Sequence, residues 1–163
     1  GAPAPQPLRV VLDSRGRVTK GPLMDTSDAP TLVLTTSTCP SDSVQLWQEA
    51  GVEFEVVPAA EGEGARGLDM DAVLDALGRR RVIQAMFEGG PHVHASLLRH
   101  GSADALHLYV GGCLLGSTAQ PWARQPLAET IADKLEWELR SATVLGNDVR
   151  LVYGKPMDAA DAS

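Results

Sequence analysis

The sequence predicts an α/β protein with a mixed β-sheet, mostly parallel, that ends in an antiparallel hairpin and has helices on both faces. Short apolar, β-branched runs alternate with amphipathic runs of helical period, as in a parallel sheet with crossover helices. Glycine or proline stands at many of the boundaries between these runs. Near the end, two apolar runs flank Leu145-Gly146-Asn147-Asp148, whose residues favour a tight hairpin turn.

The order of the runs predicts a lead-in at 1–7, one domain at 8–154 and a tail at 155–163. Three prolines keep the lead-in out of helix and central strand, because proline lacks a backbone donor. The run 82–87 is apolar almost throughout, which predicts a buried central strand. The other predicted elements are strands at 8–12, 31–36, 52–57 and 106–110, helices from Pro40 to Gly51, at 68–77 and at 92–100, and a hairpin of 135–144 with 149–153.

Composition excludes several classes of function. The net charge is −7 and the one basic run is Arg79-Arg80-Arg81, so nonspecific nucleic-acid binding is not expected. Cys39 and Cys113 form no disulfide framework and have no CxxC spacing. His92 and His94 lie two apart on a predicted helix and do not face one metal, so no metal site is predicted. No apolar run reaches the length of a membrane span.

Candidate site residues follow three of the predicted strands, because ligands of open α/β sheets bind beyond the carboxyl ends of the strands. Asp13-Ser14 leads into Arg15 and Arg17, a set suited to a ribose and its 2′-phosphate, since arginine pairs with phosphate through two donors. An exposed loop with ordinary charges is the alternative interpretation. Thr35-Thr36 either lines an adenosine site or caps its strand.

The third strand end is Glu88-Gly89-Gly90-Pro91. Two glycines allow a tight turn and a close approach of the backbone to a ligand. Pro91 suits the first turn of the following helix, whose free N–H groups and positive dipole end attract phosphate. Glu88 is a candidate acceptor for a sugar hydroxyl or a ring N–H. The alternative interpretation is an ordinary strand-to-helix turn.

Eight segments follow one another in a fixed order along the chain: Leu8 to Ser14, Thr31 to Thr36, Gly51 to Pro58, Leu68-Asp69, Phe87 to Pro91, Leu106 to Val110, Leu114 to Gly116 and Leu145 to Arg150. Together they resemble a known family, the reductase domain of bifunctional riboflavin biosynthesis proteins, over about residues 7–153. The resemblance implies a dihydrofolate-reductase-like fold and the cofactor NADPH. It also implies reduction of the ribose of 5-amino-6-(5-phosphoribosylamino)uracil to a ribityl chain.

The same resemblance implies roles for individual residues. It places Glu88 at the substrate and leaves the catalytic side chains unassigned, because hydride delivery depends mainly on positioning. The implied cofactor contacts are Asp13, Ser14, Arg15, Arg17, Thr35, Thr36, Gly89, Gly90, Pro91 and Val93.

One departure from the family concerns its first strands, which carry a Lys-x-Ala-x-Ser-x-Asp-Gly stretch that this sequence does not match. The resemblance therefore implies that an upstream segment or a separate chain completes the fold, in a homo- or hetero-oligomer. Two functions stay open: an enzyme within a larger protein or complex, and a noncatalytic, reductase-derived structural subunit of an assembly. A bacterial source would imply the cytoplasm, and a plant or algal source a plastid.

Overall fold

A computed structural model describes residues 6–62, 66–124 and 126–156, in two compact units, residues 1–85 and 86–163. Residues 1–5 of the predicted lead-in and 157–163 of the predicted tail lie outside the described residues. The regular elements, in chain order, are β1 (Arg9–Leu12), a 3-10 helix (Pro22–Met24), β2 (Thr31–Thr35), α1 (Ser41–Glu49), β3 (Glu53–Val56), α2 (Met70–Arg79), α3 (Pro91–His100), β4 (Ala105–Val110), a second 3-10 helix (Ile131–Asp133), β5 (Glu138–Leu145) and β6 (Asp148–Gly154).

The first unit is built on a parallel sheet in the order β1-β2-β3. All five residues of β2 are buried, because the strand has a neighbour on each edge and a covered face on each side. On one side, Val33 packs with Trp47 of α1 and with Val52. Phe54 lies beside Val33 in the register, and its ring centroid is 6.1 Å from that of Trp47. Helix α1 therefore covers this face.

The opposite face of the parallel sheet is marked by Leu34 and Glu55, which are paired in the register and so point to the same side. Arg79 and Arg80, at the end of α2, both donate hydrogen bonds to the Glu55 carboxylate. Helix α2 begins at Asp69, whose side chain accepts a hydrogen bond from the Ala72 N–H at 2.8 Å. The two helices thus lie on opposite faces, which confirms that prediction for this sheet.

The second unit contains an antiparallel sheet in the order β4-β6-β5. β5 and β6 form the predicted hairpin, and Gly146, at φ 66°, supplies the left-handed residue of its two-residue turn. Helix α3 ends at Gly101, which is also left-handed. Leu98 of α3, Leu106 and Leu108 of β4, and Trp122 and Trp137 line an apolar cavity of about 340 Å³.

The predicted strand at 82–87 is wrong, because these residues form no regular structure. Ile83 is fully exposed and Met86 is 82% exposed. A strand requires a neighbouring strand whose backbone hydrogen-bonds with its own N–H and C=O groups. Among the described residues, no strand pairs with this segment. The described strands form a parallel sheet of three and an antiparallel sheet of three, as the predicted combination of parallel strands and a C-terminal antiparallel hairpin requires. All the other predicted helices and strands are present, with ends that differ by three residues or fewer.

Glu55 provides a test of the contact between α2 and β3. The hydrogen bond from Arg80 is the main reason that the pKa of Glu55 lies below its ordinary value, and Arg79 adds to the effect. We expect Glu55→Gln to lower the free energy of unfolding by about 1 kcal/mol at pH 7. This loss should be complete above the unfolded-state pKa, near 4.5, and should shrink as the pH falls through the lowered folded-state value.

Urea denaturation between pH 2 and pH 7 measures this difference, with Glu53→Gln as the matched control. Glu53 lies two residues earlier on the same face of β3 and is exposed. The ion pairs of Glu55 with Arg79 and Arg80 would not be the source of this stability if Glu53→Gln lost as much as Glu55→Gln. A loss in Glu55→Gln that does not depend on pH would contradict them as well.

Candidate functional site

The carboxyl ends of β1 and β2 bring four predicted site residues together in the first unit. The Thr35 hydroxyl donates a hydrogen bond to the Asp13 carbonyl at 2.7 Å. The Thr36 hydroxyl donates one to the Ser14 carbonyl, also at 2.7 Å. Both threonines are buried, so the two strand ends form one fixed polar edge. The hydroxyl hydrogens are used within the protein, and a ligand at this edge would meet the remaining acceptor capacity of the oxygens.

The carboxylate of Asp13 is turned inward, with only 3% of the residue exposed. It accepts hydrogen bonds from the Val18 N–H at 2.7 Å and from the Arg15 N–H at 3.4 Å. The Arg17 Nε lies 3.9 Å from the same carboxylate. Asp13 therefore organises the loop after β1. The side chains of Arg15 and Arg17 are exposed and give the loop positive charge that faces solvent.

Gly16 lies at the most tightly packed point of this loop. Its φ is +66°, and a Cβ atom at this position would lie 2.6 Å from the Cys39 Sγ and 2.9 Å from the Ser43 Cβ. The Ser43 hydroxyl donates a hydrogen bond to the Gly16 carbonyl, and the Trp47 indole N–H donates one to the Val18 carbonyl, both at 2.7 Å. Sequence reasoning did not select Gly16, Ser43 or Trp47 as site residues. The available signal was a glycine between two arginines just after a strand.

The remaining predicted residues lie at the start of α3, in the second unit. Gly90 is the residue before the helix, and Pro91 is its buried first residue. The Gly90 carbonyl accepts hydrogen bonds from the Val93 N–H at 3.0 Å and the His94 N–H at 3.2 Å. A Cβ on Gly89 would lie 2.7 Å from the Val93 Cβ, so this position requires glycine. Glu88 is exposed and does not end a strand.

The start of α3 differs in charge from the starts of the other two described α-helices. Helix α2 is capped by Asp69 and has Asp71 in its first turn, and α1 has Asp42 there. Helix α3 has no side-chain cap and no acidic residue in its first turn. No carboxylate within the first turn offsets its positive dipole end, an arrangement that favours an anionic ligand. In the same turn, the His92 Nδ1 is buried with no hydrogen-bond partner among the described residues.

In the part of the chain that the structure describes, no group of three or more His, Cys, Asp or Glu side chains is arranged to hold a metal ion. His94 instead uses its Nδ1 in a hydrogen bond of 2.9 Å with the Trp122 carbonyl. None of the described helices is both long enough and apolar enough to cross a bilayer.

The parallel and antiparallel sheets, with polar strand ends and an uncapped helix start, define an α/β protein of the dihydrofolate-reductase-like class. The chain belongs to the family of the RibD C-terminal domain, whose family model matches residues 1–151. It is 32% identical over 152 residues to the riboflavin biosynthesis protein RibD of Chlamydia pneumoniae. That match covers 91% of this chain but 38% of the Chlamydia protein, so the chain spans well under half of that relative.

Two further comparisons agree with this family. The 2,5-diamino-6-ribosylamino-4(3H)-pyrimidinone 5′-phosphate reductase of Methanothermobacter thermautotrophicus is 28% identical over 153 residues, which are 93% of this chain and 68% of that reductase. The solved structure of Acinetobacter baumannii RibD superposes with a TM-score of 0.72 at 22% identity, over 90% of this chain and 37% of that one. At this identity, the similarity to the Acinetobacter structure shows the fold alone.

The contact between Gly89 and Val93 can be tested by substitution. Gly89→Ala forces a methyl group against Val93, and we expect it to lower the free energy of unfolding by about 1–3 kcal/mol. Gly90→Ala is the matched control, because a Cβ there meets nothing within 4 Å and its φ is −72°. Thermal and urea denaturation give the comparison. Equal losses in the two variants would show that the Val93 contact does not constrain this turn.

Proposed function

We propose that this chain is the reductase portion of a riboflavin biosynthesis protein. It reduces the ribose of 5-amino-6-(5-phosphoribosylamino)uracil to the ribityl chain with NADPH, as part of a larger protein or complex. The observation that carries the proposal is the family match over residues 1–151. It is supported by similarity, along 93% of this chain, to an archaeal protein named as a pyrimidinone phosphate reductase. Catalysis in such a protein requires a cofactor site and a substrate site.

Two groups of residues, each considered within its own unit, suit parts of a phosphate-bearing nicotinamide dinucleotide. At the start of α3, Gly89, Gly90 and Pro91 would lie against a phosphate, because the first turn of this helix contains no acidic residue. In the first unit, the exposed guanidinium groups of Arg15 and Arg17 suit the 2′-phosphate that distinguishes NADPH from NADH. The other proposed cofactor contacts are Asp13, Ser14, Thr35, Thr36 and Val93.

NADPH, when bound, supplies the hydride that reduces the sugar carbon. The role of the protein is to hold the cofactor and the sugar at reacting distance and to shield the reduced nicotinamide ring from water. Glu88 is the proposed substrate contact, because it is an exposed carboxylate next to the Gly89-Gly90 turn and can accept a hydrogen bond from a sugar hydroxyl. No other side chain of the described residues is assigned to the substrate.

The proposal includes a partner that completes the reductase, because the chain matches 38% of one RibD relative and 68% of the archaeal reductase. This partner is an upstream segment of the same protein or a separate chain, within a homo- or hetero-oligomer. The named relatives are bacterial and archaeal, which favours the cytoplasmic alternative over the plastid.

The decisive assay measures NADPH oxidation with the aminopyrimidine ribose phosphate as substrate. The chain is assayed alone and as a chimera in which it replaces the matched residues of the Methanothermobacter reductase. We expect substrate-dependent oxidation with the chimera. If neither protein turns over and neither binds NADPH in calorimetry, the enzyme proposal fails, and the noncatalytic structural subunit becomes the better account of this chain.

Cofactor discrimination tests the role of the loop after β1. Replacing Arg15 and Arg17 together by glutamine should weaken NADPH binding about tenfold and leave NADH binding within about twofold, because a charge-assisted contact to the 2′-phosphate is lost. Calorimetry on the chimera measures both affinities. Arg66→Gln is the control, an exposed arginine elsewhere in the same unit. An equal loss of affinity for NADPH and NADH would show that this loop does not bind the 2′-phosphate.

A further inference from the structure

Three side-chain donors hold the backbone of the loop after β1, each at 2.7 Å from a carbonyl oxygen. The pairs, with the donor first, are Thr36 with Ser14, Ser43 with Gly16, and Trp47 with Val18. These carbonyls alternate along the chain with Arg15 and Arg17, whose side chains are exposed. Each arginine therefore projects from a backbone that is fixed by a hydrogen bond on both of its sides.

Two of the three donors lie on one face of α1. Ser43 and Trp47 are four residues apart in the helix, so their side chains are neighbours on its surface. Both are buried, and Trp47 packs against Val33 in the core of the first unit. Side chains held in a close-packed core have little freedom to follow a moving loop. The loop therefore takes its position from the helix.

The loop lies directly against α1 at Gly16. A Cβ atom there would lie 2.9 Å from the Ser43 Cβ, which is closer than two such atoms approach in proteins. Because glycine lacks this atom, the Gly16 carbonyl comes within reach of the Ser43 hydroxyl. Contact as well as hydrogen bonding thus sets the separation of loop and helix, which leaves the backbone at Arg15 and Arg17 little freedom.

A fixed backbone matters for phosphate binding because the arginine side chain is long and flexible. Binding orders its rotamers, and this ordering opposes the charge-assisted hydrogen bonds that hold the phosphate. If the backbone at Arg15 and Arg17 were mobile, it would have to be ordered in the same step. The hydrogen bonds from Ser43 and Trp47 order that backbone before a ligand arrives.

We propose that Ser43 and Trp47 are positioning residues for recognition of a nucleotide 2′-phosphate. They hold the loop so that Arg15 and Arg17 reach the phosphate together, and they thereby set the preference for a 2′-phosphorylated nucleotide. This inference rests on the proposed function, which assigns the 2′-phosphate to the two arginines. It extends that function by assigning part of the specificity to two buried side chains of α1 that act through the backbone of the loop.

Two nucleotides that differ only in the 2′-phosphate test this role on the 163-residue chain, adenosine 2′,5′-bisphosphate and adenosine 5′-monophosphate. NMR titration measures both Kd values without nicotinamide, substrate or partner. We expect Ser43→Ala to reduce the preference for the bisphosphate at least about fivefold and to change the monophosphate Kd by less than about twofold. Ser41→Ala is the matched control, because Ser41 is an exposed serine of the same helix, and both Kd values should stay unchanged.

Trp47→Phe provides a second variant, since it removes the indole N–H and keeps an apolar ring in the core. We expect the preference for the bisphosphate to fall in this variant too. Two-dimensional NMR spectra show whether each variant is folded. Ser43→Ala removes a single oxygen atom, and it decides the question if Trp47→Phe does not fold.

A double-mutant cycle distinguishes positioning from a general structural role. In a chain that carries both Arg15→Gln and Arg17→Gln, Ser43→Ala should change the ratio of the two Kd values by less than about twofold, because the arginines through which Ser43 acts are absent. A serine with a merely structural role would weaken the binding of both nucleotides alike, with or without the arginines.

Three results would overturn the proposal. The first is a folded Ser43→Ala protein that keeps the wild-type preference, and the second is an equal loss of affinity for both nucleotides. The third is a wild-type chain that does not bind the bisphosphate more tightly than the monophosphate, including one that binds neither. Failure of NADPH turnover leaves these measurements intact, so this inference and the proposed reaction fail separately.

Discussion

Burial of β2 on both faces requires two covering layers and two neighbouring strands, and the first unit supplies all four. Leu32 and Leu34 point to one side and Val33 to the other, and none of them retains measurable exposure. The packed segment Leu32–Leu34 also fixes the position of the two residues that follow it. Because Thr35 and Thr36 continue directly from this packed segment, their hydroxyls reach the carbonyls of Asp13 and Ser14 at the end of β1. The polar edge is therefore positioned by the apolar packing of the three residues that precede it.

The elements that the sequence predicted correctly are those whose signals are local. Periodicity identified the helices, and glycines such as Gly101 and Gly146 marked their ends and the hairpin turn, because left-handed backbone strongly favours glycine. The segment 82–87 shows the limit of such signals. Its apolar side chains predict burial, but a strand also needs a neighbouring backbone, and no property of the segment itself reports whether one is present.

The candidate site was predictable in part for the same reason. The residue types at the strand ends identified Asp13, Ser14, Thr35 and Thr36, and the structure brings these four together. The direction of their polar atoms was not predictable, because it depends on partners distant in sequence. The inward turn of Asp13 depends on the backbone N–H of Val18. Whether these residues contact NADPH stays a prediction, as it does for Glu88, Gly89, Gly90, Pro91 and Val93.

The distribution of the tryptophans has a consequence for following the unfolding of this protein. Trp47 is fully buried in the first unit, beside Phe54, whereas Trp122 and Trp137 belong to the second and line its cavity. Trp122 is half exposed. Indole emission shifts to longer wavelength in contact with water, so we expect Trp47 to emit at shorter wavelength than Trp122. Each unit thus carries its own intrinsic optical reporter, and loss of order in one can be distinguished from loss of order in the other without any added label.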